Sequence, residues 1–343
     1  MKIAIHKSSW GFSPDWIAYC ERNKIPFKIV NCYDSNIIDQ LQDCDIFLWH
    51  HHHSSAKDVL FAKGLLFALQ QAGKKVFPDF NTGWHFDDKV GQKYLLEAIA
   101  APMVKTDIFY DKGSAFDYIQ KTSFPKVFKL RGGAGSANVK LIKSAGQARR
   151  MIQKAFDVGF PAYDRWGNWK ESWVSFKRNP SGQIIELLKS TRRLFVSTKF
   201  ARVNGRETGY VLFQEFIPNN TYDIRVVVIG DRAFGLKRLV RKNDFRASGS
   251  GFIEYNKELI DERCVSIAFV VTKRLKAQCV AYDFIFDRNN NPLIVEINYG
   301  FAHQAYFKCP GYWDNKMNWH EGKFNSADWI VELMQTSISK KKV

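Results

Sequence analysis

Two short strands joined by a dense turn constrain this chain more than any other segment. Cys279 to Phe286 is an apolar run interrupted by one acid, Asp283, and Leu293 to Asn298 is a second strand pattern. Between them lies Asp287-Arg288-Asn289-Asn290-Asn291-Pro292, a cluster of turn formers, so an antiparallel hairpin is expected. Closing it with Phe286 against Leu293 sets Asp283 opposite Glu296. Asn298, two residues further on, points to the same face because side chains alternate along a strand. Two carboxylates and an amide oxygen on one face repel or stay unsatisfied unless a cation sits among them. Hard oxygen donors of this kind suit Mg²⁺. A solvated acidic edge is the plainer alternative.

The flanking sequence supplies the frame for that hairpin. Residues 1 to about 85 alternate strand and helix: Ile3-Ala4-Ile5, Phe27 to Val30, Ile46 to Trp49 and Lys75 to Phe77 read as strands. Pro14 to Asn23 and Ala56 to Ala72 read as helices, the second stopped by Gly73. Such alternation implies a small parallel α/β domain. A helix from Asp87 to Ala98, capped by Asp88 or Asp87, opens a new unit. It is expected to be largely strands (Val104 to Tyr110, Lys126 to Leu130, Val139 to Ile142) with a helix at Ala145 to Phe156. Residues 160–210 show little clean periodicity. Strands resume from Tyr210, interrupted by a helix at Asp261 to Leu275 and followed by one at 324–338.

A formal charge of +17, from 51 Lys and Arg against 34 acids, predicts attraction to an anion: nucleic acid, an anionic membrane face, an acidic polymer or phosphorylated small molecules. Six cysteines without a CxxC pair fit reduced thiols, and no apolar run approaches the ~20 residues of a membrane span. Met1 to His6 begins as a strand rather than a signal sequence, so a cytoplasmic protein is expected.

Phosphate chemistry is suggested by the strand Pro125 to Leu130, which runs into Arg131-Gly132-Gly133-Ala134-Gly135-Ser136-Ala137-Asn138 before a second strand at Val139. Small residues let backbone N–H groups close around phosphate oxygens, and Lys129 stands at the root. No Gly-Lys-Ser/Thr follows and the next element is a strand, which excludes a Walker A loop and a dinucleotide fingerprint. What remains is a Gly-rich hairpin flap. Downstream, Asp223 to Ile229 meets Arg232 to Val240 across Gly230-Asp231. Pairing Ile229 with Arg232 puts Asp223 opposite Arg238, with Arg225 on the same face and Arg246 following. Converging guanidinium groups suit phosphate or carboxylate; a surface ion pair is the alternative.

Other features stay open. His50-His51-His52-His53 follows a strand end where α/β sheets bind ligands, so His50 and His52 are substrate candidates, against a solvated loop. His85, His303 and His320 are read as structural. Trp166, Trp169 and Trp173, interleaved with Lys and Arg, suit stacking on sugars next to acids, or packing in an inserted lobe.

In order, the chain offers Asp88-Lys89, Lys129 before Gly132-Gly133-Ala134-Gly135-Ser136, Gln214-Glu215-Phe216-Ile217, Asp223-Ile224-Arg225, Arg238 with Asp244-Phe245-Arg246, Asp283 and Glu296-Ile297-Asn298. This series resembles the ATP-grasp superfamily, in the branch of glutathione synthetase and the ribosomal-protein glutamate ligases. The resemblance implies an α/β and α+β fold: a pre-ATP-grasp domain over 1–85, a central subdomain over 86–212 carrying the flap and a Trp-rich insert, and a C-terminal subdomain over 213–338, the last two clasping ATP. By position, it assigns Lys89 and Lys129 to the phosphates and the Gly132, Gly133, Ala134, Gly135, Ser136 flap to their cover. Glu215, Phe216 and Ile217 would hold adenine, and Asp223 the ribose. Arg225, Arg238 and Arg246 would bind the acceptor carboxylate or acyl phosphate, and Asp283, Glu296 and Asn298 two Mg²⁺ ions. Ser248 stands where the branch carries Asn, and the 160–210 insert is longer than the branch has. The implied chemistry is ATP-dependent joining of a carboxylate to an amine or amino acid, where positioning and charge neutralisation suffice. The basic charge and the tryptophans suggest a uronic-acid-bearing glycan as acceptor. An ATP-grasp kinase and a basic module that binds membrane or, less favoured, nucleic acid are the alternatives.

Overall fold

The computed structural model describes residues 1–132, 138–161, 165–178, 180–196, 199–241 and 244–339. Gly133, Ala134, Gly135 and Ser136 of the flap therefore lie outside the described residues. The described chain forms two compact units: one of 1–86, 94–103 and 219–343, the other of 87–93 and 104–218.

In the first unit, four parallel strands lie in the order Phe27–Val30, Ile3–His6, Ile46–Leu48, Lys75–Phe77. A seven-stranded antiparallel sheet contains the two hairpins, Tyr222–Ile229 with Arg232–Leu239 and Cys279–Phe286 with Pro292–Asn298. Strand Tyr222–Ile229 sits between Arg232–Leu239 and Cys279–Phe286 and is covered on both faces. Its Ile224, Val226 and Val228 pack with Cys264, Val265, Ala268 and Val271 of helix Glu262–Leu275. Val227 and Ile229 point the other way and share a core with Ile3, Ile5, Trp16, Phe77 and Val331. The N-terminal sheet and the late hairpins are thus welded by one apolar core, and a run of four aliphatic residues is what two-sided burial requires.

The second unit is a four-stranded antiparallel sheet in the order Thr106–Phe109, Val211–Glu215, Lys126–Lys129, Val139–Ile142. Helices Lys112–Lys121 and Ala145–Asp157 share a core with it through Ala115, Ile119, Ala148 and Ile152. Asp111 and Ser144 cap them by accepting from the backbone N–H groups of Ser114 and Gln147. The first of these helices has too short an apolar stripe to stand out in sequence, and a unit expected to be mostly strands gains it here. Residues 160–210 are also more regular than their periodicity suggests, holding helices Arg165–Arg178, Pro180–Phe195 and Lys199–Asn204.

Among the described residues no helix is long and apolar enough to cross a membrane. All six cysteines are buried and free, and burial pushes the Cys20 and Cys309 thiols up to about 11 and about 12.

Candidate functional site

The long hairpin closes in the expected register, Ile229 with Arg232 and Asp223 with Arg238. Arg238 donates from Nε and Nη2 to the two oxygens of Asp223 at 2.7 and 2.6 Å. Strand Cys279–Phe286 lies on the other side of Tyr222–Ile229 and sets Arg225 opposite Asp283. Arg225 grips both Asp283 oxygens at 2.5 and 2.6 Å, and Arg238 Nη2 approaches Oδ1 to 2.9 Å. Burial alone would raise the Asp283 carboxyl. The two guanidinium groups overcome that and hold it well below the usual carboxylate range, so it is ionised.

The acidic hairpin corrects one detail of the expectation and keeps its consequence. Phe286 pairs with Pro292 rather than Leu293, which alone would misalign the acids. A bulge between Asp283 and Phe284 inserts the missing step, and Asp283 ends opposite Glu296 after all. Asn298 pairs with Ala281, and its Oδ1 accepts from the Gly300 N–H at 2.8 Å. The donors are carboxylate and amide oxygens, which fit Mg²⁺. Among the described residues no group of three His, Cys, Asp or Glu side chains gathers as an alternative centre. In this structure the positive charge beside Asp283 comes from Arg225 and Arg238.

Two further residues belong to this cluster. Tyr306 lies beside Arg225, and burial pushes its hydroxyl up to about 12. Arg246 instead folds back on Asp244, with Nε and Nη2 each 2.9 Å from a carboxylate oxygen. Ser248 is half-buried in the turn that follows. Nothing in the sequence pattern singled out Tyr306, which reaches the cluster from a short 3₁₀ turn, His303–Tyr306.

In the second unit, Lys129 ends strand Lys126–Lys129 and pairs with Val139, and Leu130 N–H bonds Asn138 O at 3.3 Å to close the base of the flap. Asp88 is the cap: its side chain accepts from Gly91 N–H at 2.9 Å and its carbonyl from Gln92 N–H at 2.8 Å. The next residue, Lys89, donates its backbone N–H to Arg131 O at 3.0 Å, tying the helix start to the flap root. Lys89 and Lys129 are both buried, 7% and 5% exposed, and Lys89 Nζ lies 4.0 Å from Asp87 Oδ1. Glu215 carries its carboxylate to Lys126 and its backbone N–H to Lys105 O at 2.9 Å, while Phe216 and Ile217 follow half-buried.

Glu207 carries no motif or spacing that would single it out in the sequence. Its carboxylate accepts from the Arg131 and Gly132 N–H groups at 3.2 and 3.3 Å, and Tyr210 hydroxyl bonds both it and Arg131 N–H. A Cβ at Gly132 would stand 3.2 Å from Asp87 Oδ2 and 3.3 Å from Glu207 Oε1, so any side chain there would have to push these carboxylates aside by a few tenths of an ångström. A carboxylate on two backbone N–H groups imitates a phosphate oxygen. Glu207→Ala should speed amide exchange at Arg131 and Gly132 by roughly tenfold or more, since hydrogen bonds to charged groups contribute about 1.5–3 kcal/mol. Unchanged exchange by NMR would remove Glu207 from this role.

The histidine run is not a presented loop. His50 is 6% exposed, stacks on Phe12 at 4.0 Å and accepts the Phe12 N–H on Nδ1 at 3.2 Å; a Cβ on Gly11 would collide with its ring. His51 is buried too. His52 bonds Ser54 through Nδ1 and stacks on His53, while its N–H goes to Asp58 at 2.7 Å. Asp58 also accepts from Tyr33 and Ser55 hydroxyls, both at 2.6 Å, and knots the loop onto the N-terminus of helix Ala56–Gln71. His50 is thus a packing residue, not an accessible substrate ligand. His303 pairs with Asp15 at 2.8 Å and His320 with Asp314 at 3.0 Å, as structural residues do.

Burial drives His51 down to about 3, His52 and His85 to about 4, and His50 well below its ordinary value. Unfolded, these rings take protons near pH 6.5. Folded pKa values are depressed, so the stability they contribute is present above about 6.5 and is lost as the pH falls towards 4. Each adds a slope of up to about 1.4 kcal/mol per pH unit in that window. Thermal melts from pH 7 to 4.5 should show a steep fall in Tm; a flat profile would contradict neutral burial.

Trp166 and Trp169 lie on helix Arg165–Arg178. Trp169 stacks on Trp173 at 5.8 Å and donates its indole N–H to Thr191 Oγ1 at 3.1 Å, so it belongs to the seam with helix Pro180–Phe195. Trp166 is 66% exposed.

Comparison with known proteins follows the same lines. A family model described as a RimK-like ATP-grasp domain matches residues 197–307. The alpha-aminoadipate–LysW ligase LysX of Saccharolobus solfataricus is 23% identical over 285 residues, 81% of this chain and 85% of its own. Among solved structures, D-alanine–D-alanine ligase from Bacillus anthracis aligns over 99% of both chains with a TM-score of 0.58 at 15% identity. A RimK domain ATP-grasp protein from Sphaerobacter thermophilus aligns over 98% of this chain and 100% of its own, with a TM-score of 0.55 at 14% identity. Likeness at such identities speaks for the fold. The fold is therefore that of the ATP-grasp proteins it aligns with, and residues 197–307 are similar to the RimK-like ATP-grasp domain.

Proposed function

We propose that this protein joins a carboxylate to an amine at the expense of ATP, through an acyl phosphate, releasing ADP and phosphate. The observation that carries the reading is the cluster in the antiparallel sheet. Asp283 and Glu296 are paired across adjacent strands, with Arg225 and Arg238 on Asp283 and Asn298 beyond. Such a site neutralises and orients charge, which is what acyl-phosphate chemistry needs from a protein.

When bound, Mg-ATP supplies the phosphoryl group and part of the charge that draws it off. Lys89 and Lys129 would hold phosphate oxygens, and the Gly-rich segment Gly132, Gly133, Ala134, Gly135, Ser136 would supply backbone N–H groups to them. Glu215, Phe216 and Ile217 offer backbone groups to adenine. Asp223 orders Arg238 and reaches the ribose with the lone pairs that Arg238 leaves, since a carboxylate offers about four. Asp283, Glu296 and Asn298 hold magnesium, two ions by this reading. Arg225, freed in part from Asp283, and Arg246 steady the acceptor carboxylate beside Ser248.

The named relatives are ligases of alpha-aminoadipate and of D-alanine, which supports an amino acid or similar amine as one substrate. A glycan acceptor is suggested by the basic charge and by Trp166, Trp169 and Trp173, of which Trp166 and Trp173 are exposed. Trp169 is engaged in a helix seam, which takes one of the three rings from that reading. The reaction's need for ATP and the buried free thiols support a cytoplasmic setting.

The test follows the γ-phosphate by ³¹P NMR with Mg-ATP, pooled amino acids and a panel of small and sugar acids. Inorganic phosphate and ADP should rise only when an acid and an amine are both present. A new phosphoester would make the protein a kinase, and no ATP consumption with any pool would reject the ligase.

A further inference from the structure

We propose that the helical arm, Arg165–Arg178 with Pro180–Phe195, is a docking surface for an anionic lipid bilayer. The two helices make their principal contact with each other. Their seam uses Trp169, Thr191 and the buried Ser190, and the outer faces are left to solvent. Those faces are not polar. On the second helix Ile184, Ile185, Leu188 and Phe195 are 48%, 64%, 65% and 83% exposed. At i, i+1, i+4 and i+11 they fall within about 100° of the helix circumference, one stripe. On the first helix Trp166, Lys170, Trp173 and Lys177 recur at i, i+4, i+7 and i+11, again one stripe, and all four are exposed.

Charge identifies the occupant. Residues 165–206 contain ten Lys and Arg against two acids, Glu171 and Glu186. Exposed Lys189 borders the aliphatic stripe and exposed Arg192 lies within it. Phosphates of a nucleic acid would use the bases but leave Ile184, Ile185 and Leu188 in water. A bilayer interface takes both: aliphatic and Phe side chains enter the acyl boundary, Trp rings sit at headgroup level, and Lys and Arg stems snorkel to the phosphates. Basic residues next to an anionic surface each add to the affinity, so the match is one of charge as well as of polarity.

The full-length protein is floated with vesicles of phosphatidylcholine, with and without phosphatidylglycerol, in the absence of nucleotide. The outcome therefore stands apart from the ligase reading. Binding should require phosphatidylglycerol, weaken as salt rises, and shift tryptophan emission to the blue. Leu188→Glu with Phe195→Glu should weaken it more than tenfold, and Lys170→Glu with Lys177→Glu should do the same. Both pairs are solvent-facing, so thermal melts should match the parent and exclude misfolding as the cause. No binding, equal binding to neutral vesicles, or full binding by both double variants would overturn the proposal. A dimer of the parent that Leu188→Glu abolishes would assign the face to a second copy and overturn it too.

Discussion

Glu296→Gln lowers ATP turnover by roughly 10²–10³-fold, the range seen when one preorganised charge-stabilising group is removed. The variant also needs more Mg²⁺ for half its maximal rate. Glu296 lies directly opposite Asp283 on the paired strand, and the two carboxylates are the anionic part of the proposed magnesium site. Gln keeps the volume and one oxygen and removes the charge, so the hairpin should close as before and the circular dichroism spectrum should not move. Asp283 is left as the one carboxylate of the site, with Arg225 and Arg238 already on its oxygens. Magnesium titrations of ADP release on parent and variant decide the matter. An unchanged rate and an unchanged Mg²⁺ requirement would remove Glu296 from the site.

Arg238→Met destabilises the first unit by about 3–5 kcal/mol, the range for breaking a buried ion pair from one side. Arg238 is 7% exposed and serves two acids, Asp223 through both its oxygens and Asp283 through Oδ1. Met fills much of the same space without a charge, so Asp223 is left buried with no cation of its own. Asp283 keeps Arg225. The loss should fall mainly on Asp223, and Asp223→Leu combined with Arg238→Met should recover a good part of it. Urea midpoints of the three variants test this. If the single variant unfolds at the parent's midpoint, the pair is solvated in solution and the network is not what holds these strands in place.

Much of this site was legible because strand chemistry is local. Gly230-Asp231 between two apolar runs specified the long hairpin and its register, and with it Asp223 against Arg238. The acidic hairpin was readable as an element, yet its register was not. Nothing in Asp287 to Pro292 announces a bulge between Asp283 and Phe284, and the pairing of Asp283 with Glu296 came out as expected only because the bulge offset the different closure of the turn. The order of Lys89, Lys129, Glu215, Asp223, Arg238 and Asp283 could be read off without coordinates. Their partners could not.

Sequence by itself determined which residues carry charge and which runs become strands, because alternation, turn residues and caps act over a few positions. Tertiary structure decided what each charge meets. His50 reads as an available imidazole after a strand and is instead sealed against Phe12 and Gly11, since the N-terminal sheet shares its core with Val227 and Ile229 from more than 170 residues away. Asp283 reads as a metal ligand and is found between two guanidinium groups, because the strand of Arg225 lies beside it. Glu207 and Tyr306 become neighbours of the flap root and of Arg225 through contacts that span many residues. Long-range burial has no period in the sequence, and it is burial that sets whether a side chain packs, pairs or waits for a ligand.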